Sequence, residues 1–147
     1  MILIITVFLL LFILVCITLS VRENPLLTEI KKRYSILKKH LREIGEFKGI
    51  YTTDSIITGT TIKGDKIGTN VNKGYEITLC LEGGLDNIDS VMNVFLHELA
   101  HQTVNEYEHS DEFWNNFKKL RDIASTLDIY RPIPNVKYCG QEIGDPI

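Results

Sequence analysis

The stretch "DNIDSVMNVFLHELAH" (residues 86–101) constrains the chain more than any other. Ile88, Met92, Phe95 and Leu99 recur at spacings of four, three and four, which on a 3.6-residue repeat makes one apolar face. His97 and His101 are four apart, so on the same helix they stand one turn above the other. The spacing predicts a helix over Ile88–Val104, capped by Asn87 or Asp89. That helix buries one side and presents two imidazoles from the other. The rest of the fold must cover the first side and leave the second within reach.

Two imidazoles at this spacing can share one Zn²⁺ at about 2.0–2.1 Å each. Glu98 lies about 100° round the helix from His97, beside such a metal rather than on it. A carboxylate there takes the proton from a water on the metal as that water attacks a carbonyl. The motif is H-E-x-x-H, with Glu98 as general base. An open catalytic site wants a third protein ligand. The metzincin spacing would put glycine at 104 and histidine at 107, but the chain has Val104 and Tyr107. His109 is the better candidate, because Asn105 can end the helix in a left-handed conformation and Ser110 can start the next. Glu106, Glu108 and Glu112 stay open as oxygen ligands. Tyr107 and Tyr138 are candidates for stabilising an oxyanion.

The length of 147 residues suits one domain, and a net charge of −3 gives no basic footprint, so no nucleic-acid partner is expected. Much of the apolar content lies in "MILIITVFLLLFILVCITL", nineteen residues that rise about 28 Å as a helix. No Lys or Arg precedes this run and no A-x-A follows it, which favours an uncleaved anchor over residues 1–20 rather than a signal peptide. Arg22, Lys31, Lys32, Arg33, Lys38, Lys39 and Arg42 all follow the run. They predict a single-pass membrane protein whose domain, residues 24–147, faces the cytosol. Cys80 and Cys139 are isolated in sequence. In a reducing compartment they are expected to stay unpaired, and Cys139 is expected to be buried rather than a metal ligand.

"ENPLLTEIKKRYSILKKHLREIGEF" reads as a helix, with Asn24 as cap, Pro25 at its first position and Gly45 as its stop. Leu27, Ile30, Tyr34, Leu37, Leu41 and Ile44 form its apolar stripe, and its basic residues read as a solvated face rather than a lipid-binding one. "SIITGTTI", "KIGTNV" and "YEITLCL" read as short strands, the last ended by Gly83-Gly84. A further helix is predicted over Asp111–Leu127, capped by Ser110, with Phe113, Phe117, Leu120, Ala124 and Leu127 facing the core. The tail "YRPIPNVKYCGQEIGDPI" holds three of the four prolines and reads as extended.

"HELAH" followed by "HSDEFW" resembles the WLM metalloprotease domain and its relatives, the SprT and YgjP-like minimal zinc peptidases. "KGYEITLCLEG", "DNIDSVMNVFLHELAH", "EYEHSDEFWNNFKKL" and "VKYCGQEI" resemble successive blocks of the short, membrane-anchored WLM-type proteins of large DNA viruses, over about residues 72–143. The resemblance implies an α+β, minimal zincin-like fold: a small sheet over the H-E-x-x-H helix, here preceded by one transmembrane helix. It implies His97, His101 and His109 as zinc ligands, Glu98 as general base and a protein or peptide as substrate. It also implies an edge strand above the zinc that accepts the substrate backbone, which by position is "YEITLCL". The expected whole is a zinc metalloprotease anchored in a host or virion membrane. The alternatives are a zinc hydrolase of a non-peptide substrate, or a non-catalytic membrane structural protein with a stabilising zinc.

Overall fold

The structure, a computed structural model, describes residues 2–20, 23–61, 66–82 and 86–144. Arg22, the Gly83-Gly84 strand end, Ile62 and the last three residues of the tail lie outside the described residues. Among the described residues, five helices and five strands follow in the order α1 (Ile2–Ser20), α2 (Pro25–Ile44), α3 (Lys48–Thr52), β1 (Ile56–Thr60), β2 (Gly68–Val71), β3 (Glu76–Cys80), α4 (Ile88–Ala100), α5 (Asp111–Thr126), β4 (Val136–Tyr138) and β5 (Gln141–Ile143).

The punctuation of α2 is the expected one. Asn24 accepts a hydrogen bond from the Leu26 amide at 2.8 Å, Pro25 opens the helix and Gly45 closes it in the left-handed region at φ 72°. Leu27, Ile30, Tyr34, Leu37 and Leu41 are buried, each worth about 1.5–3 kcal/mol as a fully buried side chain. Ile44 departs from the stripe and is 45% exposed, because the helix stops there and the chain turns away. The Tyr34 ring meets Phe95 of α4 edge-on at 5.1 Å, and its hydroxyl donates to the Ile50 carbonyl at 3.0 Å. Arg33 donates to Asp89 at 3.1 Å and to the Ile129 carbonyl at 2.8 Å, fastening α2 to the start of α4.

β1, β3 and β2 form one sheet in that order, with β1 parallel and β2 antiparallel to β3. "YEITLCL" is therefore the central strand and not the edge. Its Ile77, Leu79, Cys80 and Leu81 are buried, as a strand flanked on both sides requires. The polar "GTNV" of β2 occupies an edge, where exposed backbone groups favour polar residues. α4 packs on β2 and β3 and is enclosed on nearly every side. Besides the expected Met92, Phe95 and Leu99, it buries Val91, Val94, Leu96 and Ala100, so it is the central helix of the core rather than a one-sided one. Asn87 caps it, accepting from the Asp89 amide at 2.8 Å, and Ser110 caps α5, accepting from the Phe113 amide at 3.2 Å.

Three expectations are corrected. Residues Ile2–Ser20 do form a helix, but among the described residues no helix is long and apolar enough to cross a membrane. The single-pass anchor and the cytosol-facing topology built on it are overturned. The tail is a hairpin rather than merely extended: β4 and β5 pair antiparallel around Cys139-Gly140, both at positive φ (47° and 88°), as a two-residue hairpin turn requires. Cys139 is also disulfide-bonded to Cys80 at the end of β3, which ties the hairpin turn to the central strand. The Tyr138 hydroxyl reinforces the tie by donating to the Cys80 carbonyl.

The bridged cysteines are 59 residues apart. Loop-closure entropy for such a span stabilises the fold by about 4 kcal/mol. Denaturant unfolding with and without a thiol reductant is expected to show a stability loss near that size, matched by a Cys80→Ser, Cys139→Ser double variant. Coincident unfolding curves would rule the tie out.

Candidate metal centre

The C-terminal end of α4 builds the centre, and its carbonyls account for how. The Asn70 side-chain amide donates to the Glu98 carbonyl, while the Asn70 side-chain oxygen accepts from the Gly74 amide at 2.6 Å. The Leu99 carbonyl takes the Gln102 amide at 3.0 Å, and the Ala100 carbonyl takes the Thr103 amide and hydroxyl at 3.0 and 2.7 Å. The His101 carbonyl lies 3.3 Å from the Lys73 ammonium. Tight local bonds from Gln102 and Thr103, with partners from β2 and the β2–β3 turn, thus replace the next intrahelical bonds, and the helix ends at Ala100 rather than at Val104. Asn105 does not adopt the expected left-handed conformation; in this part of the chain it is Asn72, Lys73 and Gly74 that carry positive φ.

The loop after the helix folds back so that His109 meets His97 and His101. His109 Nε2 stands 3.1 Å from His97 Nε2 and 3.2 Å from His101 Nε2. Among the described residues these three histidines form a group able to hold a metal ion, their ligand atoms all within 4.8 Å of one another. A tetrahedral ion with bonds of about 2.0–2.1 Å sets its ligand atoms about 3.3 Å apart, so the spacing suits one small divalent cation. Glu106, Glu108 and Glu112 are not in this group, and the Glu106 carboxylate instead accepts from the Ser110 hydroxyl. Phe113 packs against all three imidazoles, with ring centroids at 5.0, 4.6 and 4.5 Å from His97, His101 and His109. Trp114 lies 5.3 Å from the His109 ring.

Burial, with the charges of His101 and His109, pushes the His97 imidazolium down to about 3. Burial, then His109, then Lys73 lowers His101 as well. Both rings are held in the neutral form that binds metals. Glu98 is 6% exposed, and burial raises its carboxyl to about 7 against the opposing pull of Lys66. A carboxylate near that value accepts and returns a proton at neutral pH.

These groups line a cleft of about 800 Å³. The stretch from Lys66 to Val71, which includes β2, forms one side, and the stretch from Gln141 to Gly144, which includes β5, contributes to the lining with Trp114 and Phe117. Among the described residues, β2 pairs with β3 alone, so its other edge is free. Of the two tyrosine candidates, Tyr107 is 79% exposed at the cleft, whereas Tyr138 is buried with its hydroxyl committed to Cys80. Tyr138 is therefore withdrawn. The sequence reading missed Gly68, Asn70 and Lys73; the positive-φ Asn72-Lys73-Gly74 turn, visible as "NKG", was the one signal pointing to them.

The family model for the WLM domain matches residues 25–146. An uncharacterized protein of Acanthamoeba polyphaga mimivirus is 35% identical over 136 residues, covering 80% of this chain and 69% of its own length. This bears out the resemblance to WLM proteins of large DNA viruses. The crystal structure of Wss1 from Saccharomyces cerevisiae superposes with a TM-score of 0.56 at 23% identity, covering 70% of this chain and 77% of that one. A Wss1 mutant gives 0.56 at 22% identity, covering 70% and 78%. The shared α+β fold is thereby established.

Gly68 is what lets the Glu98 carboxyl lie under β2: a Cβ there would come within 2.5 Å of Glu98 Oε1 and 2.8 Å of Val94 Cγ1. Gly68→Ala is expected to destabilise the fold by about 1–3 kcal/mol through overpacking, and by clearly less in a Glu98→Ala background. Equal losses in the two backgrounds, read by denaturant unfolding, would show that Glu98 does not depend on that space.

Proposed function

Since the chain belongs to the WLM domain family, we propose that it is a zinc-dependent peptidase, with residues 24–147 as its catalytic unit. The observation that carries this reading is a buried carboxyl one residue from His97, outside the three-imidazole group and facing the same cleft. A site that only stabilised the fold would gain nothing from leaving Glu98 unliganded in so dry a place.

In this reading His97, His101 and His109 hold the zinc. When bound, the ion supplies a Lewis acid that polarises the scissile carbonyl and acidifies water. Glu98 removes the proton from the attacking water, and its raised affinity for protons lets it carry that proton to the departing amine. Phe113 and Trp114 fix the ring of His109, and burial keeps His97 neutral. A peptide substrate fits the cleft better than a small molecule because β2 runs along it with an open edge. An extended segment can add to Gly68–Val71 as a further strand, held by main-chain hydrogen bonds. The role implied for "YEITLCL" passes to β2, since β3 has no free edge to offer.

Glu98→Gln is nearly isosteric but cannot accept the proton. It is expected to retain one zinc per chain and the native fold while peptide turnover falls by about 10²–10⁴-fold or more. Turnover within a few-fold of wild type, with zinc still stoichiometric, would remove Glu98 from the base role.

A further inference from the structure

Between His101 and His109 the chain forms neither helix nor strand, yet it must return the third imidazole to within 3.2 Å of the other two. A segment of that kind holds a ligand in place only as firmly as it is itself held. Some ties are internal or come from α5: Asn116 donates to Thr103 at 3.0 Å, the Ser110 hydroxyl donates to Glu106, and Val104 is buried. The tie from the sheet is of a different kind. The Lys73 ammonium lies 3.3 Å from the His101 carbonyl, 2.8 Å from that of Val104 and 2.9 Å from that of Glu106. An ammonium has three N–H donors, and here each has a carbonyl to serve. The stem reaches this spot from a turn in which Asn72, Lys73 and Gly74 sit at φ 50°, 53° and 99°. Two consecutive non-glycine residues in the left-handed region are unfavourable, and persist where contacts over-determine them.

Resting on the zinc reading above, we propose that Lys73 is a positioning residue of the metal centre. Its ammonium gathers the carbonyls of His101, Val104 and Glu106 and so holds the loop that brings His109 onto His97 and His101. The charge belongs there for a second reason: it meets the carbonyl-rich end of α4, where the helix dipole favours a cation. Tyr107 adds to the grip, its ring 4.5 Å beneath the ammonium. With its donors directed at the loop, Lys73 acts through His109 rather than on a substrate.

The sign of one effect separates positioning from plain electrostatics. Lys73 places a positive charge beside a site for a cation, so by charge alone Lys73→Met would tighten zinc binding. Positioning predicts the opposite. Zinc affinity, measured by chelator competition on the full chain, is expected to fall about 10- to 100-fold in Lys73→Met. Lys73→Arg, which can still donate to several carbonyls, is expected to recover part of the loss. In a His109→Ala background Lys73→Met is expected to have no further effect, because the group it positions is gone. Should Lys73→Met fail to fold, Lys73→Gln takes its place in the same cycle. Unchanged or tighter zinc binding on losing the lysine, or losses that add to that of His109→Ala, would overturn the clamp while leaving the three-histidine site intact. If His109→Ala itself leaves zinc affinity unchanged, the metal reading falls first and Lys73 has nothing to position.

Discussion

A carboxyl group buried on the central helix of the core sets the terms for the rest of the molecule. α4 is enclosed by the sheet, α2 and α5, and an ordinary helix in that place would be apolar throughout. Here the last turn carries His97, Glu98 and His101 into the same environment. Ionising a carboxylate without water is unfavourable, so Glu98 takes up protons far more readily than a surface glutamate and His97 gives them up far more readily than a surface histidine. Burial is the largest cause of both shifts, and it moves the two groups in opposite directions. That is the state a proton-transferring base and a neutral ligand each need.

Strand β2 is the element through which this arrangement is maintained. Gly68 leaves room for the Glu98 carboxyl, Asn70 bonds to the Glu98 carbonyl and to the Gly74 amide, and the turn beyond the strand carries Lys73 to the end of α4. Among the described residues, the same strand keeps one edge unpaired at the cleft. Four consecutive residues and the turn that follows thus face the base, the ligand loop and the place where a substrate backbone would lie. The Cys80–Cys139 bond gives the hairpin that ends in β5 its fixed point on the central strand.

What could be read from the sequence was whatever short-range chemistry decides. Asn24, Pro25 and Gly45 bound α2 because capping and left-handed closure need no distant partner, and Ser110 starts α5 for the same reason. The i, i+4 spacing was enough to put His97 and His101 on one face. The failures lie where a distant partner decides. α4 stops four residues early, where Asn70 takes the Glu98 carbonyl and Lys73 that of the cap residue His101. "YEITLCL" became the central strand because two other strands pair with it, which alternation along one strand cannot reveal. The hairpin turn at Cys139-Gly140 lacks the usual Asn-Gly signal and is tied to β3 by a bond whose partner is 59 residues away. The apolar N-terminal run was judged by its length and charge alone, and among the described residues no helix meets the requirement of a membrane span.

The central claim is that three imidazoles brought together by this fold hold one zinc ion beside Glu98. Anomalous scattering at the zinc absorption edge, from crystals of the full chain supplied with one equivalent of zinc, tests it most directly. The account predicts a single strong peak at about 2.0–2.1 Å from Nε2 of His97, His101 and His109, with Glu98 close by but not bonded to it. A peak held by Glu98 or by any of Glu106, Glu108 and Glu112, or no peak among the three histidines, would contradict it.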